Sequence, residues 1–436
     1  MSKLITNTIR HTGGSADNIT LDNSQNVTVE GNATVDGTST LTGNVTCSGQ
    51  LKTDAIRHTG ASSDAITLAS DGTATAKITN QPPGNRNLII NGAFNVAQRS
   101  ASSTSGGYTT VDRFEHVISG TDEAPTFAQV DVTSNDPGPW EKGFRKAFRF
   151  TNGNQTGGAG VTDFIWLRTY LEAQNIAQSG WNYTSASSYI TLSFWIKSSV
   201  AQDFKGYVRT FDGTDQMYPF ATGSLSADTW TKITKTIPGN ANIQVDNDNG
   251  SGLQINLLPF IGTDYTNNAT TENAWAAFDA SARVQDMTST WYTTNDAQLE
   301  ITGVQLEVGD TATDFDHRSY SEDLFLCKRY YQTTAQTGTE AYKRHGIGFS
   351  ASTSAMYTIH YLNPPMRAVP AESSSGNFRV DGHTTRDVTS LSYQHPTQEC
   401  VQVVFNDSGG GMNSDTNWIA RANNDTSARV NFEAEL

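Results

Sequence analysis

The sequence predicts an all-β homotrimer: a short N-terminal repetitive β stem of β-helix or β-prism type, an antiparallel jelly-roll sandwich, a short connecting helix and a C-terminal β domain. Three observations carry this expectation: a six-residue glycine rhythm near the N terminus, apolar/polar alternation in later segments, and a composition rich in Thr, Asn, Ser and Gly. Hydrophobic residues are 36% and charged residues 17% of 436, lean for helical bundles and suited to short strands and turns. The predicted boundaries are 1–80 for the stem and its attachment, 81–318 for the sandwich, and 319–436 for the helix and last β domain.

The stem contains two repeats. Residues 4–21, LITNTIRHTGGSADNITL, return at 51–68 as LKTDAIRHTGASSDAITL, with Ile-Arg-His-Thr-Gly identical. Between the copies, Gly31, Gly37, Gly43 and Gly49 recur every six residues, with Val29, Val35, Leu41 and Cys47 two positions ahead of them. A second row runs Val27, Ala33, Ser39, Val45, Leu51. Two apolar rows of one parity with a corner glycine describe strands of about four residues joined by tight turns. Such a strip is too thin to bury itself, so three copies around a long axis are expected to cover Val29, Val35, Leu41, Val45 and Leu51. The threefold axis would also gather Arg10-His11 and Arg57-His58; inward imidazoles could hold a metal or anion, and the commoner role is a solvated turn.

Asn80-Gln81-Pro82-Pro83-Gly84 breaks the pattern as a linker does. Leu88–Val96 then reads as a β-hairpin about Asn91-Gly92. In 189–197, Ile190, Leu192, Phe194 and Ile196 alternate with Tyr189, Thr191, Ser193, Trp195 and Lys197, predicting a strand with one apolar face. Leu299 and Ile301 keep one parity, Val304, Leu306 and Val308 the other, and Gly303 between them predicts a β-bulge. Ser319 with Glu322 forms a capping-box pattern opening a helix over 319–331, with Leu324, Cys327 and Tyr331 on one side. The alternating end, residues 428–436, predicts a last strand held in a sheet.

Charge limits the functions open to this chain. A formal net charge of -15 repels polyphosphate, which disfavours nucleic acid as a partner. No apolar run is long enough to insert in a membrane, and the opening residues lack a secretory h-region, so cytoplasmic synthesis is expected. Cys47, Cys327 and Cys400, odd in number and far apart, suit reduced thiols. No nucleophile elbow, zinc-binding His-Glu-x-x-His helix or phosphate loop occurs, so no enzyme activity is expected.

Several segments resemble the tail fibres and receptor-binding proteins of tailed bacteriophages, including those of marine cyanobacterial phages. They are 87–99 (NLIINGAFNVAQR), 193–198 (SFWIKS), 303–309 (GVQLEVG), 315–320 (FDHRSY), 327–331 (CKRYY), the step Pro365-Met366-Arg367, and the ending 432–436 (FEAEL). The resemblance implies a carbohydrate-binding-like jelly roll, trimeric assembly, and a place in the virion tail of particles assembled in the bacterial cytoplasm. Its implied partners are other tail proteins and a host surface polysaccharide or lipopolysaccharide. The competing readings are a purely architectural tail or head-appendage protein and a polysaccharide depolymerase.

Sugar sites combine aromatic faces with short polar groups. Candidates by that criterion are Trp166, Tyr170, Trp181 and Tyr183 in an Asn/Gln-rich segment, then Tyr207 and Tyr218, and Trp195 on the polar side of its strand. Aromatics in sandwiches are more often core. Asp246 and Asp248, in Asp-Asn-Asp-Asn-Gly, alternate oxygens as calcium loops do, but Leu257 stands where such a loop needs its last acidic ligand. A structural calcium is the one cofactor considered; Asp314, Asp316 and His317 form a second acidic spot, read as structural.

Overall fold

The computed structural model describes residues 86–334 and 340–436 in full and, before them, six short strands. The chain divides into two compact units, residues 1–78 and 79–436.

In the first unit the sequence duplication is also a structural one. Thr8–Ile9, Ile19–Leu21 and Val27–Val29 form an antiparallel meander, and Ala55–Ile56, Ile66–Leu68 and Ala74–Ala76 form another. The pairs Thr8↔Thr20 and Ile19↔Val29 recur 47 positions later as Ala55↔Thr67 and Ile66↔Ala76. The repeat therefore runs to Ala76, beyond Leu68 where the letters stop matching. Alternation of Thr with small apolar residues preserves the third strand where identity is lost. Of the proposed stem row, Val29 ends a meander strand; Val35, Leu41, Val45 and Leu51 lie outside the described residues.

The second unit opens with an antiparallel sandwich of two six-stranded sheets. One runs Thr231–Pro238, Tyr189–Ser198, Gln298–Val308, Lys146–Thr151, Thr126–Asp131, Ser102–Ser103. The other runs Ala276–Ala277, Gln216–Ser224, Asp203–Thr210, Ser251–Ile261, Phe164–Glu172, Glu115–Ser119. Strands distant in sequence lie side by side, the crossing order of a jelly roll. Ile190, Leu192, Phe194 and Ile196 turn inward onto Phe148, Phe150, Phe204, Phe220, Ile255 and Leu306, all within one core. Each such side chain contributes about 2 kcal/mol on leaving water.

The expected bulge occurs. Ser193 pairs with Gln305 but Trp195 with Thr302, so one extra residue is accommodated near Gly303, which has φ +65°. A Cβ on Gly303 would lie 2.5 Å from the Phe144 ring.

The expected hairpin does not. Residues 89–93 form a buried turn, and the Asn91 side chain holds it: its Nδ2 donates to the Val96 and Asp112 carbonyls at 2.9 Å each, and its Oδ1 accepts from the Val96 amide. Asn91 has φ +61°, and a Cβ on Gly92 would strike the Val304 carbonyl. Asn-Gly is here a site of close backbone approach, a use that local sequence does not separate from a hairpin.

The helix is Tyr320–Cys327, capped by Ser319 accepting from the Glu322 amide at 3.2 Å. It is shorter than expected because Tyr331 already begins the strand Tyr331–Thr333. Cys327 and Asp323 face the core, while Leu324 is half-buried.

The C-terminal part is a second sandwich. A seven-stranded sheet runs Thr385–Asp387, Phe378–Asp381, Asn417–Ala422, Arg344–Ser352, Ala355–Tyr361, Cys400–Asn406, Ser390–Gln394. A three-stranded sheet, Tyr331–Thr333, Arg429–Glu433, Ala371–Ser375, contributes Val430 and Phe432 to the shared core around Trp418 and Phe405. The final strand is thus held in a sheet, at its centre.

Candidate functional site

The bulge opposite Trp195 makes the outer side of the first sheet uneven, and a groove of about 680 Å3 lies there. Trp195 is placed outward by alternation, between Lys232 on one neighbouring strand and Thr302 on the other. One ring edge is fixed by the loop before Lys146: Gly138, at φ +94°, approaches so closely that a Cβ would sit 2.7 Å from the ring. Trp195 remains half-buried and lines the groove.

The opposite wall is a triad of rings. Phe144 and Phe315 meet edge to face at 4.8 Å between centroids, and His317 lies 5.0 Å from the first and 4.9 Å from the second. His317 Nε2 donates to the Lys142 carbonyl at 2.7 Å, which fixes the ring. Lys142 Nζ pairs with Asp314 at 3.2 Å at the rim, an exposed contact that positions more than it stabilises.

Beside the groove the sheet carries a charged network. Lys197 Nζ contacts Asp136 at 2.9 Å and Glu300 at 2.7 Å; Trp230 Nε1 donates to Asp136 at 3.0 Å, and Arg149 Nε to Glu300 at 2.6 Å. Burial pushes the Asp136 carboxyl up, but hydrogen bonds from Lys197, Trp230 and Thr133 outweigh it and hold the group well below the usual carboxylate range. Burial likewise opposes the Lys197 charge, and Asp136 with Glu300 raises its pKa overall. These groups stay ionised and keep the loop carrying Gly138 in place.

Trp195 is the sequence-selected aromatic that the groove includes. Trp181 and Tyr218 belong to the main core, and Trp166 and Tyr207 to a smaller one beneath residues 261–287. All four are less than 5% exposed, so none offers a ring to a sugar; the hydrophobic gain of covering them won. Tyr183 is half-buried, its ring edge-on to Trp181 and its hydroxyl 3.5 Å from the Val245 carbonyl. Tyr170 is also half-buried, on the outer side of the second sheet, with its ring 5.7 Å from Phe211. Phe315, half-buried, and His317, exposed, are contributors that residue-type reasoning missed, and Phe144, 2% exposed, supports both rings from behind. The signal was present in the segment Phe315-Asp316-His317 and in the glycine at 303.

Several polar groups around Asp246 are engaged within the chain. Asp248 Oδ1 accepts from the Gly250 amide at 2.8 Å, Asn247 Oδ1 from Gln178 at 3.1 Å, and the Asp246 amide donates to Asp212 at 2.7 Å. This is a polar turn leading into Ser251–Ile261. Among the described residues no group of three or more His, Cys, Asp or Glu is arranged to hold a metal. Asp316 is structural: its Oδ2 accepts from the Arg86 and Asn87 amides at 3.0 and 3.3 Å.

No family model and no curated protein matches the chain. Among solved structures, it is similar to the enzymatically active domain of bacteriophage CBA120 tailspike protein 4, at 10% identity and TM-score 0.28, over 51% of this chain and 22% of that one. The N-terminal cellulose-binding domain of Cellulomonas fimi β-1,4-glucanase C is similar over 50% of this chain and 100% of its own, at 12% identity and TM-score 0.24. The family 11 carbohydrate-binding module of Clostridium thermocellum, in complex with a mixed-linked tetrasaccharide, is similar over 46% of this chain and 91% of its own, at 9% identity and TM-score 0.21. The tailspike match spans less than a quarter of that domain, and all three are distant likenesses of β architecture.

Proposed function

We propose that the protein is a non-enzymatic bacteriophage tail fibre, homotrimeric, attached to the tail through its N-terminal stem and binding host cell-surface polysaccharide or lipopolysaccharide through its β domains. The observation that carries the glycan part is the Trp195 groove. An aromatic ring faces sugar C–H groups while Lys232 and the Lys142–Asp314 pair supply hydroxyl partners around it. One such groove on each chain suits weak sites multiplied across three copies. The duplicated meanders and the phage-like segments support the virion role.

The groove's carboxylates support a binding role over hydrolysis. Glu141 accepts from the Gly138 amide and Asp314 pairs with Lys142, so each holds a loop in place.

The test is retardation of the protein in gels containing polysaccharide from the host envelope. Trp195→Ala is expected to weaken retention about tenfold or more, a tenfold loss being about 1.4 kcal/mol summed over the copies. Equal retention of the variant would remove the groove from the reading. Release of reducing ends from the polysaccharide would replace binding with depolymerisation.

A further inference from the structure

We propose that the outer side of the seven-stranded sheet is a contact surface for a second copy of this chain. Alternation along the two central strands turns Ser350, Met356 and Thr358 into the core and leaves Ile347, Phe349, Tyr357, Ile359 and Tyr361 on the far side. Phe349 is paired with Tyr357, and their rings stack at 5.9 Å. The exposures are 72% for Ile347, 52% for Phe349, 58% for Ile359 and 81% for Tyr361.

Size is the first argument for a protein partner. At about 200 Å2 per large side chain, these four residues leave on the order of 500 Å2 uncovered. That reaches the range of the largest patch an ordinary monomer shows, and it is more than half of the roughly 800 Å2 that each partner buries in a standard interface.

Charge selects which protein. The chain carries -15, so two copies repel wherever acidic surfaces approach. From the apolar strip to one sheet edge the outward residues are Gln402, Asn406, Ser392 and Gln394, none of them charged. On the other side the outward charged groups are Arg344, exposed at the start of the strand that carries Ile347, and Arg421, which is paired with Asp381. A contact centred on Ile347, Phe349, Ile359 and Tyr361 leaves Arg344, the first residue of its strand, at the rim. A sugar would find few hydrogen-bonding groups at the centre, where Ile347 and Ile359 stand.

The inference rests on the homotrimer reading for the number of copies, and it places a self-contact in the C-terminal sheet instead of in the stem alone. The test compares the full chain with Ile347→Lys/Ile359→Lys by light-scattering mass, with circular dichroism to verify folding. The expected result is a multiple of 47.2 kDa for the parent and at least tenfold weaker self-association for the folded variant. Tyr361→Lys, at the most exposed position, serves if the double variant fails to fold. Hydroxyl-radical footprinting of the parent should find Tyr361 protected. A monomeric parent, an unchanged mass in the variants, or a reactive Tyr361 in the oligomer would each overturn the proposal. So would loss of polysaccharide retention at unchanged mass, which would make the strip a sugar platform. Trp195→Ala, by contrast, should leave the mass unaltered, so that failure of the groove and failure of this surface are read separately.

Discussion

Arg113 and Glu435, 322 positions apart in the chain, meet as an ion pair whose side chains are 2% and 5% exposed. The Arg113 guanidinium also lies over the Tyr330 ring at 3.4 Å and donates to the Tyr170 carbonyl at 2.7 Å. Around it, Arg99 reaches Glu435 at 3.2 Å, Glu172 accepts from Arg329 at 2.7 and 2.8 Å, and Arg367 donates to the Ala434 and Glu435 carbonyls. Both β sandwiches contribute to this network, which explains why residues 79–436 form one compact unit. Within that unit two cores, one of residues between 89 and 306 and one of residues between 356 and 434, are joined by a buried polar joint.

Removing one partner of such a pair leaves an uncompensated buried charge. Glu435→Ala is expected to lower unfolding stability by about 3–5 kcal/mol, and Glu435→Gln by less. Urea denaturation decides this; a loss below about 1 kcal/mol would mean that Arg99 and Arg113 find other partners.

The bulge makes a second expectation. Gly303→Ala adds a Cβ at positive φ and 2.5 Å from the Phe144 ring, so strain and displacement of Phe144 both follow. A loss of about 1–3 kcal/mol is expected, with weakened polysaccharide retention because buried Phe144 supports the Phe315 and His317 rings at the groove. Retention equal to the parent's, in a destabilised protein, would show that this wall does not touch the ligand.

The strands were legible where one side is apolar and the other polar: the alternation in 189–197 and the parity change at Gly303 state a periodicity set by the apolar core, although Thr191, Ser193 and Thr302 on the polar side are buried as well. The site was legible only at Trp195, because its position opposed the apolar parity of its strand. Trp166 and Tyr207 also project from an outer sheet side, yet residues 261–287 fold over them, and no local pattern announces a covering loop. The phage-like segments were read as strands and helix. In the structure several of them meet at connections: Arg318 donates to the Asn87 and Ile89 carbonyls, Asp316 accepts from the Asn87 amide, and Gln98 donates to the Tyr331 carbonyl at 3.0 Å.

Asn91 tests that last point. Its side chain makes three buried hydrogen bonds and its backbone sits at positive φ, where Asn is tolerated better than Ala. Asn91→Ala is expected to cost about 3 kcal/mol, since each unsatisfied buried group costs about 1 kcal/mol or more. Thermal unfolding indistinguishable from the parent's would contradict the role given to this turn.

Acid should destabilise the protein as its buried histidines are forced to take up protons. Burial lowers His116 to about 4; burial, with nearby Lys343 and His360, lowers His345 to about 4; burial lowers His360 to about 4. Each is neutral when folded and regains an ordinary value near 6.5 when unfolded, so the unfolded chain binds more protons below that pH. The stability these residues carry is complete above pH 6.5 and is lost as pH falls toward 4, about 3 kcal/mol for each. Asp112 acts in the opposite direction. Burial raises it to about 6 despite Arg99 and Gln98, so it favours the folded state as pH falls from about 6 toward its ordinary value and offsets roughly one histidine. The balance is a net loss on the order of 6 kcal/mol between pH 6.5 and 4. Urea unfolding at pH 7 and pH 4.5 measures it, and His345→Gln should flatten the dependence. Stability equal or greater at pH 4.5 would mean that these imidazoles reach water in the folded protein.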